Sequence, residues 1–163
     1  MPKLSAGLLL YRVVDGSVEV LIAHPGGPFW AKKDEGAWSI PKGEYVEGED
    51  PWAAAQREFT EELGKPPPDG PRIDFPPLKQ PSGKIITAFA VRADLDLEGI
   101  VSNTFTLEWP KGSGKFREFP EVDRVGWFEV SEARSKLTKG QRPILDLLLD
   151  ALEDAESAAP RSH

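Results

Sequence analysis

The stretch GEYVEGEDPWAAAQREFTEELG, residues 43–64, joins a loop that contains two glycines to the clearest helix signal in the chain. Asp50 is suited to cap the amino end of a helix, and Pro51 fits the first helical turn. Gly64 is suited to end the helix, because glycine readily adopts the left-handed conformation found there. The pattern therefore predicts a helix over residues 50–63.

The carboxylates of this helix are expected to share one face. Glu58, Glu61 and Glu62 are three and four residues apart, which places their side chains together. Like charges repel, and Arg57, four residues before Glu61, offsets only part of that repulsion. A bound Mg²⁺ or Mn²⁺, which prefer oxygen ligands, would offset the rest. A solvated acidic face without metal is the alternative for three helical glutamates taken alone. The apolar residues of the helix fall on another face, which we expect to pack against a sheet: Trp52, Phe59 and Leu63.

The order of the surrounding elements predicts the fold class. Strands are predicted at 4–14 and 17–24, joined at Asp15-Gly16, a dipeptide typical of tight hairpins. Further strands are expected at 38–40, 72–79, 84–93, 101–109 and 125–130. Helices are expected at 131–137 and 141–155, and loops or turns at 25–37, 65–71, 111–115 and 115–127. Strands mixed with a few helices predict an α+β or layered α/β/α fold.

The composition of the chain excludes several classes of protein. With 163 residues the chain suits one domain, which we place at 1–155, and the tail 156–163 has too little apolar surface to become ordered. No long apolar run or basic leader is present, so we expect neither membrane insertion nor export, but a cytoplasmic protein. The absence of cysteine excludes disulfides and thiolate chemistry. The net charge of −7 argues against nucleic-acid or anionic-membrane partners.

The loop ahead of the helix gives the glutamates a specific context. Five residues separate Gly43 from Glu49, and seven more precede Arg57-Glu58. The whole segment resembles the Nudix box, Gly-x5-Glu-x7-Arg-Glu-U-x-Glu-Glu-x-Gly-U, where U is a bulky aliphatic residue. Every charged and glycine position matches. Phe59 takes the first U position, and Lys65 takes the last, which is a departure from the pattern.

The resemblance to the Nudix hydrolase family implies an α/β/α sandwich with a mixed central sheet flanked by helices. It also implies magnesium- or manganese-dependent hydrolysis of a nucleoside diphosphate linked to another group. The implied metal ligands are the Gly43 carbonyl and the carboxylates of Glu58, Glu61 and Glu62. Glu49 and Arg57 would support catalysis by orienting these glutamates.

One carboxylate must accept a proton from the attacking water. We favour Glu58 as this general base, with a glutamate from another loop as the alternative. In members of the family such a glutamate often lies just before a late strand. The segment 115–127 occupies that place, and Glu121 fits it better than Glu118. Ordinary loop charges remain the other interpretation of both residues.

The residues before the box bear on the substrate, a small nucleotide. Trp38-Ser39-Ile40-Pro41-Lys42-Gly43 resembles the Nudix branch that cleaves diadenosine polyphosphates. Lys42 is a candidate phosphate contact, as are Lys32 and Lys33, while Phe29 and Trp30 could stack on a base. Trp38 is a candidate substrate contact too, although a core role suits it better. His24 is expected to be structural.

Several functions remain open at this point. A dinucleoside polyphosphate or nucleoside triphosphate is the favoured substrate, and sanitising hydrolysis of modified nucleoside triphosphates is its main rival. Nucleotide sugars and ADP-ribose come next. A non-catalytic nucleotide-binding module and an acidic protein-interaction domain are the alternatives outside enzymology. Monomer and homodimer are equally compatible with the sequence.

Overall fold

The fold begins with a long β-hairpin. In a computed structural model that describes residues 3–158, strand β1 (Leu4–Val14) pairs antiparallel with β2 (Ser17–Pro25). Asp15 and Gly16 form the turn with positive φ values of 51° and 81°. Both values suit a two-residue hairpin turn, so the predicted hairpin is confirmed.

Seven strands form one mixed sheet. Its order is β4 (Arg72–Asp74), β6 (Ile85–Arg92), β1, β2 and β9 (Val122–Glu129). In addition, β3 (Lys42–Tyr45) pairs with β1, and β5 (Leu78–Lys79) pairs with β6. Strand β1 runs parallel to β6, and the other pairs in this sheet are antiparallel.

The two ends of β1 have different partners on one side. Leu4–Gly7 pair with β3, whereas Tyr11–Val14 pair with β2. The segment 37–41 fills the opening between them, since Leu8 N–H donates to the Pro41 carbonyl at 3.0 Å and Ala23 and Ser39 exchange backbone hydrogen bonds. These hydrogen bonds fix the position of the segment that leads into Gly43.

Helices cover both faces of the sheet. Because strand side chains alternate, Leu8 and Leu10 pack against α1 (Pro51–Leu63), while Leu9 and Tyr11 belong to the core on the other face. That second core includes residues of α2 (Val130–Lys136) and α3 (Arg142–Ala158). Each fully buried leucine contributes roughly 1.5–3 kcal/mol to stability. The predicted α/β/α sandwich is confirmed.

Helix α1 starts and ends as its sequence predicts. The Asp50 carboxylate accepts a hydrogen bond from Ala53 N–H at 3.1 Å. Gly64 lies in the left-handed region at φ 74° and donates to the Thr60 carbonyl. Phe59 and Leu63 are fully buried against the sheet, and Trp52 is half-buried with its ring 5.2 Å from that of Phe89.

Lys65, which departs from the box pattern, has its own contacts. Its ammonium donates hydrogen bonds to the carbonyls of Asp96 and Glu98. The lysine therefore joins residues 96–98 to the carboxyl end of α1 through polar contacts, where the box pattern expects an aliphatic side chain.

The prediction of a loop over 115–127 is wrong. Strands β7 (Thr104–Glu108) and β8 (Phe116–Pro120) form a separate two-stranded hairpin, and β9 begins two residues later. The hairpin lies outside the main sheet, and none of its strand residues is fully buried. Polar and apolar residues alternate along β7 but not along β8, whose sequence FREFP therefore resembles a loop. The predicted turn at 111–115 connects its two strands.

Smaller differences concern element lengths. Residues 38–40 form only isolated bridges, and 72–79 divides into β4 and β5. A 3-10 turn at Lys139–Gln141 precedes α3, which continues to Ala158, inside the stretch predicted to be disordered. Residues 159–163 of that tail lie outside the described residues. Within 3–158, no helix combines the length and apolar character needed to cross a membrane.

Gly64 is predicted to be the more sensitive of two glycines with nearly the same backbone angle. A Cβ at Gly64 would overlap the Val101 carbonyl, whereas a Cβ at Gly36 (φ 72°) would meet nothing within 4 Å. Gly36→Ala should cost about 1–2 kcal/mol of unfolding free energy through its backbone angle alone. Gly64→Ala should cost about 1–3 kcal/mol more through overlap. Urea unfolding measures both, and equal losses would contradict the steric role.

Candidate active site

Gly43 and Glu58 are in direct contact across the start of the box. A Cβ on Gly43 would overlap the carboxylate of Glu58. Gly43 does not have a positive φ, so the requirement for glycine here is one of space. The absence of a side chain lets the Glu58 carboxylate lie against the backbone that begins the box.

Arg57 lies among three carboxylates. Its guanidinium pairs with Glu49, lies 3.2 Å from Glu58 Oε1 and is 4.0 Å from Glu61 Oε1. It also contacts the Glu44 carbonyl at 3.4 Å. These contacts hold the loop carboxylate of Glu49 and the two helix carboxylates in a fixed relation, which is the orienting arrangement that the box resemblance implies for Arg57 and Glu49.

Glu62 is the most deeply buried of the box glutamates. Its Oε1 accepts a hydrogen bond from Lys42 N–H at 3.0 Å. Burial raises the pKa of Glu62 to about 7, and the charges of Glu121 and Glu58 act in the same direction, while Lys42 opposes them. Burial also raises the pKa of Glu58, with Glu61 and Glu121 adding to the effect and Arg57 opposing it. Arg57 and Lys42 therefore do not neutralise all the negative charge of the carboxylates in this site.

Glu121 is brought to the box by backbone hydrogen bonds. Asn103 N–H donates to the Glu61 carbonyl at 2.9 Å, and Glu121 N–H donates to the Asn103 carbonyl at 2.8 Å. Gly26 N–H then donates to the Glu121 carbonyl at 2.9 Å. Glu118 lies on the hairpin instead, hydrogen-bonded to Thr104. Sequence reasoning missed Asn103, because a backbone contact leaves no side-chain signal.

The donor set suits a hard divalent cation. Among the residues described, no three or more His, Cys, Asp or Glu side chains converge as a ready-made metal site. Glu58, Glu61 and Glu62 nevertheless offer carboxylate oxygens from one side of α1, and the Gly43 backbone lies against Glu58. Partly desolvated carboxylates with raised pKa values are stabilised in their charged form by a cation. The residues present therefore fit Mg²⁺ or Mn²⁺.

The candidate substrate residues occupy different environments. Trp38 is 3% exposed, donates from Nε1 to Asp34 at 2.7 Å and packs against His24, so its indole lies in the core. Lys32 is exposed, and Lys33 lies over the Trp30 ring. His24 is fully buried between Asp123 and the Lys33 carbonyl, a structural position.

Lys42 alone of the predicted lysines lines a cavity beside the box. The cavity has a volume of about 270 Å³. Sequence reasoning missed most of its walls, because they come from segments far apart in the chain. Its lining residues are Ser5, Pro25, Trp30, Ala37, Ser39, Lys42, Gln80, Ser82, Lys84, Ile86, Thr138 and Gln141.

A model of the NUDIX domain matches residues 1–148, so the fold and the glutamate-bearing helix define a phosphohydrolase that acts on pyrophosphate bonds. The chain belongs to the NUDIX family. No curated protein matches its sequence.

Solved structures show the same fold at low sequence identity. A mutT/nudix family protein from Listeria innocua is 20% identical with a TM-score of 0.65, covering 98% of this chain and 99% of that one. The C. elegans Ap4A hydrolase in a binary complex is 20% identical with a TM-score of 0.60, covering 92% and 98%. The NUDIX domain of Shewanella oneidensis NrtR, complexed with ADP ribose, is 15% identical with a TM-score of 0.60, covering 95% and 89%.

The buried Glu62 predicts a pH-dependent stability for the metal-free protein. Between pH 4.5 and about 7 the folded chain retains a proton that the unfolded chain has released. Stability is therefore lost as the pH rises through this range. In Glu62→Gln the titration is absent, and the amide oxygen can still accept from Lys42 N–H.

With a chelator present, Glu62→Gln should match the wild type near pH 4.5 and exceed it at pH 8 by up to about 3 kcal/mol. Urea unfolding at both pH values measures the difference. Glu47→Gln, an exposed box residue, serves as the control. A difference that does not change with pH would contradict the assigned burial.

The contact between Gly43 and Glu58 predicts a second sensitive position. Gly43→Ala should displace the Glu58 carboxylate and lower kcat about 100-fold, because misplacing a catalytic group by about 1 Å has effects of that order. Val46→Ala, at an exposed position of the same loop, should keep its kcat within about threefold. Steady-state kinetics on both variants, with folding checked by circular dichroism, would refute the steric account if Gly43→Ala remained fully active.

Proposed function

We propose that this protein hydrolyses a pyrophosphate or polyphosphate linkage in a nucleoside diphosphate derivative, with Mg²⁺ or Mn²⁺ as cofactor. The observation that carries the proposal is the cluster of partly desolvated carboxylates between α1 and Gly43, with Lys42 next to it. A dinucleoside polyphosphate or a nucleoside triphosphate is the favoured substrate.

The chain's own residues supply position and proton transfer. Glu58, Glu61, Glu62 and the Gly43 carbonyl would hold the cation, which when bound neutralises phosphate charge and activates water. Arg57 keeps Glu58 and Glu61 in place through the contacts described above. Because the carboxylates of Glu58, Glu61 and Glu62 lie on one side of α1, the pyrophosphate of the substrate would bind on that side only.

The base that accepts the water proton is Glu58 in this proposal. Its side chain is only 15% exposed, and burial raises its pKa, which makes the carboxylate a better proton acceptor. Glu121 is the alternative. It reaches the same carboxylates from the junction of β8 and β9 and is exposed to solvent.

The comparisons support a nucleotide substrate without choosing among nucleotides. The C. elegans relative is an Ap4A hydrolase, and the Shewanella oneidensis domain was crystallised with ADP ribose. The sequence before the box favours a dinucleoside polyphosphate. Sanitising hydrolysis of modified nucleoside triphosphates is the main rival within the same family.

Purified protein should release phosphate-bearing products from a nucleotide panel only when Mg²⁺ or Mn²⁺ is present. Glu61→Gln and Glu62→Gln should each lower kcat at least about 100-fold and weaken the response to metal, because each removes a charged oxygen ligand. Glu47→Gln should retain activity within about twofold. Product identification by chromatography, with metal titration, measures these effects.

Two outcomes would contradict the proposal. One is full activity in a chelator or in both Glu61→Gln and Glu62→Gln. The other is tight binding of nucleotides by the wild type with no turnover of any of them, which would instead favour a non-catalytic binding module.

A further inference from the structure

His24 is a fully buried polar residue to which the hydrolysis proposed above gives no part. Its Nδ1 lies 2.7 Å from Asp123 Oδ1, and its Nε2 lies 2.6 Å from the Lys33 carbonyl oxygen. Both partners are hydrogen-bond acceptors, so the two contacts are satisfied together when each ring nitrogen donates. The imidazole therefore bridges the 25–37 loop and the start of β9, two segments that are far apart in the sequence.

The start of β9 is irregular at the residue that His24 contacts. Between two successive pairs with β2, strand β9 contributes one extra residue, and that residue is Asp123. Such a β-bulge bends its strand and changes the direction in which nearby side chains point. Glu121 lies two residues before Asp123, so the bulge affects the direction of Glu121.

Glu121 is held against the chain that follows His24. Its carbonyl accepts from Gly26 N–H at 2.9 Å. A Cβ on Gly26 would overlap the carbonyl of the residue before Glu121, so the two segments are in close contact. Burial is the main cause that raises the pKa values of Glu58 and Glu62, and the charge of Glu121 adds to it. A displacement of Glu121 therefore changes the charge at the box carboxylates, whether or not Glu121 accepts the proton.

The other partner of His24 belongs to a loop with candidate substrate contacts. The Lys33 carbonyl lies in the 25–37 loop, and the candidate contacts are at residues 29–33. Lys33 Nζ lies 5.1 Å from the centre of the Trp30 ring, and Trp30 lines the cavity beside the box. The bond from His24 to the Lys33 carbonyl thus fixes the loop at the point where these side chains leave it.

We propose that His24 is a positioning residue for the hydrolysis: it directs Glu121 through Asp123 and holds the 25–37 loop through the Lys33 carbonyl. This role rests on the proposed function, because the groups that His24 places act in that reaction. The bond to Asp123 bears on turnover, since Glu121 acts on the carboxylates that would hold the cation. The bond to the Lys33 carbonyl bears on the affinity for substrate.

Two substitutions separate the two contacts of His24. In His24→Gln the amide nitrogen takes the place of Nε2, so it can donate to the Lys33 carbonyl but no longer to Asp123. In His24→Asn the amide nitrogen takes the place of Nδ1, so it can donate to Asp123 but no longer to the Lys33 carbonyl. Each variant keeps one hydrogen bond and loses one, so a role in stability alone would affect both alike.

The kinetic effects of the two variants should differ in kind. His24→Gln should lower kcat about tenfold and keep KM within about twofold, because Glu121 is misdirected. His24→Asn should raise KM about fivefold and keep kcat within about twofold, because only the loop is loosened. The measurement is steady-state kinetics with Mg²⁺ on the nucleotide that the wild type hydrolyses fastest.

Arg124→Ala is the matched control for both variants. Arg124 is exposed, and its Nε lies 3.7 Å from Asp123 Oδ1, the oxygen that His24 contacts. A surface ion pair of this kind contributes little, so both kinetic constants should stay within about twofold of the wild type.

A double substitution tests whether the effect on kcat acts through Glu121. In a Glu121→Gln background, His24→Gln should change kcat by less than about twofold, because the group that it displaces has already lost its charge. Effects of two independent residues would instead multiply.

Hydrogen exchange gives a readout that does not need activity. In the metal-free protein, His24→Gln should speed exchange of the Gly26 and Glu121 amides at least about tenfold, and His24→Asn should leave both within about threefold of the wild type. The amides of Val101 and Asn103, which donate to carbonyls of α1, should exchange as in the wild type. NMR measures all four amides in each variant.

Three results would overturn this role of His24. One is that His24→Gln and His24→Asn change kinetics and exchange in the same way. The second is that the effects of His24→Gln and Glu121→Gln on kcat multiply. The third is that Glu121→Gln leaves kcat unchanged. If the wild type hydrolyses no nucleotide, the proposed function fails, and the exchange pattern still decides whether His24 holds Glu121 in place.

Discussion

The structure depends on holding several carboxylates close together at a partly buried site between α1 and Gly43. Burial and mutual repulsion raise the pKa values of Glu58 and Glu62, so their positions must be imposed by the rest of the structure. Arg57 and the Lys42 N–H restrain the carboxylates directly. On the opposite side of α1, buried residues such as Phe59 fix the helix to the sheet, which prevents the helix from turning its acidic face away.

The segment 101–103 binds the carboxyl end of α1 and also positions Glu121. Val101 and Asn103 donate backbone hydrogen bonds to the carbonyls of Leu63 and Glu61. Lys65 adds its bonds to the preceding turn of that segment. A lysine in place of an aliphatic residue therefore still closes the helix, by polar contacts with backbone carbonyls. The end of the helix and the position of Glu121 are thus set together.

The range over which each interaction acts explains which elements of the structure could be predicted from the sequence. The caps of α1 and the Asp15-Gly16 turn act within a few residues, so their signals are visible in one short window. The strand that contains β7 and the turn after it were predicted, but β8 was missed, because its residues do not alternate between apolar and polar and its charged residues resemble a loop. The walls of the cavity, such as Lys84 and Gln141, come together only through the sheet topology. Family resemblance identified the box glutamates but contained no information about those walls.

Lys42 has a thermodynamic consequence for the two sites that it joins. Its backbone N–H donates a hydrogen bond to a box glutamate, and the same residue lines the cavity on the other face of the sheet. Two ligands that share a residue are linked in free energy, and such linkage is reciprocal by necessity. Whatever factor a cation at the glutamates would impose on the affinity of a ligand in the cavity, that ligand would impose on the affinity of the cation. The order in which the two arrive therefore leaves the final complex unchanged.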